Sequence, residues 1–152
     1  MAKGSGMKAL DLTKGRPRPP LAELDGIMFF ARTIDKARAT LPGGNIGDYS
    51  YVPSMSEMFL KHFGVDPDAF VETVKKADSD ADVATWFRSQ IDASKIASWN
   101  ETASTRPVTD ENRDRIAVRH PIAKRDLSLV RVAAVLLADD RESLGEKLAI
   151  DV

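Results

Sequence analysis

The chain has no cysteine, which excludes disulfides, thiolate nucleophiles and cysteine metal sites and fits a reducing compartment. It also lacks any long apolar run. The longest, from Val132 to Ala138, falls far short of the ~20 residues a spanning helix needs, and no apolar signal-peptide core opens the sequence. A cytoplasmic protein with no membrane partner is expected. An excess of one charge is missing as well: 22 Lys and Arg stand against 23 Asp and Glu, so no overall field draws the protein to nucleic acid, which is not an expected partner. Histidine is scarce. His62 and His120 are far apart, no His-Glu-x-x-His helix or Gly-x-Ser-x-Gly elbow occurs, and each histidine reads as a satisfied structural residue. No cofactor and no metal is implied.

What is present describes one folded domain. With 152 residues, 43% of them hydrophobic and 30% charged, the chain is long enough to bury roughly 70% of the surface its unfolded form exposes. The strongest helical pattern is LAELDGIMFFARTIDKARATL, residues 21–41, where Ile27, Phe30, Ala31, Ile34, Ala37 and Leu41 share a face. This spacing predicts a central helix over the whole stretch. Arg32, Asp35, Lys36 and Arg38 crowd its other side, and Asp35 stands where it can pair with Arg32 or Arg38. The ordinary interpretation of such a cluster is a solvated helix face whose pairs contribute only ~0.2–0.5 kcal/mol each.

Residues 1–20 form a basic lead-in, with Lys3, Lys8, Lys14, Arg16 and Arg18 against Asp11 alone. Its run Arg16-Pro-Arg-Pro-Pro20 demands extended backbone, and Leu10 and Leu12 are placed to pin it across the domain. After residue 41, Pro42, Gly43, Gly44 and Gly47 end the helix and open a loop carrying Tyr49 and Tyr51 on one side. Further helices follow in quick succession. Ser54 with Glu57 matches a capping box, Gly64 a stop, Asp66-Pro67 a capped start, and Ser79 and Thr109 two more starts. Trp86 and Trp99 fall on apolar faces and read as core, and Asn100 calls for a specific hydrogen-bond partner. A last helix over 127–138, capped by Asp126, is apolar nearly all round and should be deeply buried. The expected fold is therefore all-α: a compact bundle of six to eight helices around a central one, spanning residues 21–145, with the lead-in before it and a tail over 146–152.

Two motifs fail on inspection. Asp78, Asp80 and Asp82 have the spacing of a calcium loop, but Val83 and Ser89 occupy the positions of its glycine and closing glutamate. Gly43 to Gly47 is glycine-rich without a Walker lysine. What remains is a candidate ligand site of Arg32, Asp35, Lys36, Arg38, Tyr49 and Tyr51, with Asn100 added, for a small anionic molecule. One alternative is a small enzyme using Asp35 as base with Arg or Tyr groups. The other is an interaction module docking through the basic arm.

Asp11-Leu-Thr-Lys14, Ile34-Asp-Lys-Ala-Arg-Ala39, Gly47-Asp-Tyr-Ser-Tyr51 and Trp99-Asn100, in that order, resemble a family of small bacterial proteins known as a domain of unknown function. Its pattern, D-L-T-K, L-D-K-A-R-A and G-E-Y-x-Y, is altered here only by Ile34 for leucine and Asp48 for glutamate. The resemblance transfers no activity. It implies that the lead-in, the charged helix and the tyrosine loop belong to one unit.

Overall fold

The computed structural model describes residues 7–150. Among them the fold is all-α, with eight helices and one two-stranded antiparallel ribbon, and no helix is long and apolar enough to cross a membrane. The ribbon pairs β1 (Glu23–Leu24) with β2 (Ile27–Met28), and the helices are α1 (Phe30–Ala39), α2 (Met55–Phe63), α3 (Pro67–Lys76), α4 (Asp80–Gln90), α5 (Ile96–Thr105), α6 (Asp110–Arg119), α7 (Ile122–Arg125) and α8 (Val132–Leu144).

The helix expected over 21–41 is thus only its second half. Asp25 (φ 54) and Gly26 (φ 77) make a two-residue hairpin turn between Leu24 and Ile27, and Phe29 (φ 68) swings the chain into α1. A helix cannot pass through three residues of positive φ, so the apolar spacing of Ile27 with Phe30 and Ile34 reflects shared burial rather than one helix. The hairpin is tied down from outside. The Asn100 side chain accepts from Met28 N at 3.0 Å and donates to Gly26 O at 2.9 Å, and Trp99 Nε1 donates to Met28 O at 2.9 Å.

All six phenylalanines of the chain are buried, and Trp99 joins them. Phe59 stacks on Phe87 with centroids 5.4 Å apart, Phe30 lies 4.6 Å from Phe87, and Phe29 meets Trp99 edge-on at 5.8 Å. Helices α2 to α4 supply Phe59, Phe63, Phe70 and Phe87, and each starts where a local cap directs it: Ser54, Asp66 and Ser79 accept backbone N–H groups at their helix starts. At α6 the capping box is closed by Asn112 with Thr109.

The last helix is shifted relative to the expected 127–138. Asp126 caps a turn at Ser128, Leu127 and Val130 are exposed, and residues 129–131 run extended beside 106–108, with Val108 N donating to Val130 O at 2.9 Å. The helix α8 begins at Val132 and continues to Leu144. The chain then turns back along the lead-in: Arg16 N donates to Lys147 O and Ala149 N to Arg16 O. A Cβ on Gly15 would stand 2.6 Å from Ala149 N, so only glycine permits this contact. Leu10 and Leu12 are buried against Ala39 and Ala149, as pins across the body. Lys3 and residues 151–152 lie outside the described residues.

Candidate functional site

Every residue of α1 is buried, including Arg32, Asp35, Lys36 and Arg38, which corrects the expectation of a solvated charged face. Charges removed from water must be paired, hydrogen-bonded or neutralised. Three of the four are engaged by distant parts of the chain, although the Nε of Arg32 itself finds no partner among the described residues. Asp35 is held by Arg18, through Nη2 at 2.9 Å, Nε at 3.1 Å and the backbone N at 2.8 Å, and Arg18 also reaches Asp80 at 2.7 Å. Burial still pushes the Asp35 carboxyl above its ordinary range, against the opposing pull of Arg18. Arg32 forks onto Asp140 at 2.6 and 3.1 Å, both side chains 1% exposed. Arg38 donates from Nε to Lys8 O at 2.7 Å. The expected pairing of Asp35 with Arg32 or Arg38 is therefore replaced by Arg18, a partner supplied by the lead-in.

Lys36 is different. It is 5% exposed, and among the described residues nothing accepts a hydrogen bond or forms an ion pair with its Nζ; the nearest aromatic partner is the Tyr49 ring, whose centroid is 6.0 Å away. Burial, then the charges of Arg32 and Arg119, hold its ammonium well below the usual lysine range, with Asp140 opposing. The neutral amine is far more populated here than in a solvated lysine.

Tyr49 covers this spot. Its hydroxyl donates to Asp140 at 2.7 Å, its ring lies 5.7 Å from the Arg32 guanidinium carbon, and burial followed by the Asp140 charge keeps the phenol protonated well above its normal range. Arg32, Lys36 and Tyr49 together line a groove of about 1340 Å³ between α1, the tyrosine loop, the start of α2, α6 and α8. Its walls add apolar surface from Met55, Met58, Ile116, Val132 and Leu136, and three arginines, Arg106, Arg115 and Arg119. Arg119 donates to Pro53 O at 2.8 Å, while the side chains of Arg106 and Arg115 engage no acceptor among the described residues. Four acids share the lining. Asp139 is taken by His120 and Glu142 by Arg125, leaving Asp48 and Glu57 uncommitted.

The other residues singled out in the sequence lie apart from the groove. Asp35 faces Arg18 and Asp80, and Arg38 faces the lead-in. Tyr51 donates to Pro67 O at 2.8 Å and borders an adjoining cavity of about 540 Å³, which shares Tyr49 and Ser50 with the groove. Asn100 serves the hairpin, the specific partner its position called for. Sequence reasoning missed Asp140, which holds Arg32 and Tyr49 behind the groove, and the pairing of two groove residues, His120 and Asp139, which are 2.9 Å apart and come together only because α7 turns the chain back onto α8. The adjacent Asp139-Asp140 pair directly after an apolar run was the available signal.

A family model described as a domain of unknown function (DUF5069) matches residues 14–139. No curated protein matches the chain.

Proposed function

We propose, for a chain that belongs to the DUF5069 family of domains of unknown function, that the groove above Lys36 binds a small organic anion with an apolar body, in a bacterial cytoplasm. The observation that carries this reading is Lys36, a lysine buried in the central helix, bordering a groove and lacking, among the described residues, the counter-charge that Arg32 and Asp35 each have. A buried cationic group is unfavourable unless something compensates for it, and such groups cluster at functional sites. Arg106, Arg115 and Arg119 supply the positive wall on which an anionic group would rest, and the methionines and aliphatic residues suit an apolar remainder.

Thermal unfolding of the full chain with a panel of small carboxylates and phosphates tests this. At a hundredfold excess over Kd a bound anion raises Tm by roughly 5–10 °C. The double variant Arg115→Ala/Arg119→Ala should abolish the rise. A panel without effect, or a rise that survives in the variant, would speak against the groove. The acid–base role for Asp35 has less support, since both its oxygens are engaged by Arg18. The docking arm has less as well, with Arg16 on Glu146 and Arg18 on Asp35.

A further inference from the structure

We infer that Lys36 is an imine-forming lysine, whose Nζ adds to the carbonyl carbon of a small α-keto acid held in the groove by its carboxylate. This rests on the anion-binding reading above and names the class of ligand. A buried structural lysine is ordinarily paired. The two carboxylates close to it in the fold, Asp35 on its own helix and Asp140 on α8, are both occupied by arginine forks, and the Tyr49 hydroxyl is turned to Asp140. Nothing among the described residues competes for the Nζ lone pair. Its neighbours, a guanidinium neutralised by its own partner and an aromatic ring, desolvate the amine without offering it a counter-ion. This is the environment in which a lysine becomes a nucleophile near neutral pH, where a solvated lysine is neutral only on the order of one time in a thousand.

The step balances without a further reagent. The amine lone pair forms the carbon–nitrogen bond, the carbonyl oxygen takes up a proton, and the resulting carbinolamine expels water to leave the imine. His120, whose Nδ1 lies 2.9 Å from Asp139 Oδ2, borders the same groove and is the group there suited to carrying the proton to the departing hydroxyl. An α-keto acid fits because its carboxylate is adjacent to the carbonyl. An arginine on the wall can then hold the acid while Lys36 meets the carbon.

Borohydride trapping decides the matter. The full chain is incubated with pyruvate, or with α-ketooctanoate to use the apolar walls, then reduced and mapped by peptide mass spectrometry. The expected result is a secondary amine at Lys36, formed on the order of tenfold faster than at exposed lysines such as Lys61 or Lys95, and lost in Lys36→Met. No adduct at Lys36, or labelling no faster than at those two, overturns the inference. Tm measured with the same keto acids before reduction separates the two levels. A raised Tm without an adduct overturns imine formation while the groove stands, and an unchanged Tm without an adduct overturns both.

Discussion

At the scale of single residues, the informative contrast is between two buried cations one helical turn apart. Arg32 has an ionic partner, and among the described residues Lys36 has none. For Arg32, removing the acceptor by Asp140→Asn leaves a guanidinium buried and uncompensated, and should cost about 3–5 kcal/mol in denaturant unfolding. The apolar double replacement Arg32→Met/Asp140→Leu should cost clearly less than that single change, because it removes both charges together. A loss under about 1 kcal/mol in Asp140→Asn would show that the pair is solvated in solution. For Lys36 the folded pKa lies well below the unfolded value of 10.5. Between those two values the unfolded chain holds a proton that the folded chain has released, so this residue makes stability rise with pH across the window, and below it the destabilisation is at its full, pH-independent value. Lys36→Met should therefore be more stable than the parent at neutral pH, with the gap closing as pH approaches 10.5. A gap independent of pH would mean that the lysine is not perturbed.

At the scale of elements, what could be read from the sequence depended on whether the signal was local. Ser54, Asp66, Ser79 and Thr109 mark helix starts correctly because a cap involves residues two or three apart. The start of α1 was misplaced because Asp25-Gly26, a strong hairpin signal, was embedded in an apolar pattern that also fits period 3.6. The hairpin turn can be tested separately from its packing. A Cβ on Gly26 meets nothing within 4 Å, so Gly26→Ala should cost about 1–2 kcal/mol from the positive φ alone. A neutral substitution, read by the same unfolding curves, would contradict the turn. The shift of α8 has a different origin: Leu129 and Val130 are apolar enough for either state, and pairing with 106–108 holds residues 129–131 extended.

At the scale of the whole molecule, part of the site was visible because Arg32, Lys36 and Tyr49 lie close in sequence and remain together in space. Which of the charges would be left without a partner was not visible. Asp35 is satisfied from 17 residues away and Arg32 from 108 residues away, distances at which helix-surface pairing rules say nothing. The fold thus places the lead-in on one side of α1 and α8 on the other, where Arg18 takes up Asp35 and Asp140 takes up Arg32, so that among the described residues Lys36 is the charge of α1 that meets the groove without a counter-ion. The most direct test is competition footprinting of lysines with a small amine-directed reagent, with the full chain titrated by pyruvate and by phosphate. The account predicts that an anion lowers modification of Lys36 along a saturable curve while Lys61, Lys95 and Lys124 are unchanged. Modification of Lys36 that is indifferent to every anion, or protection spread equally over all four lysines, would contradict it.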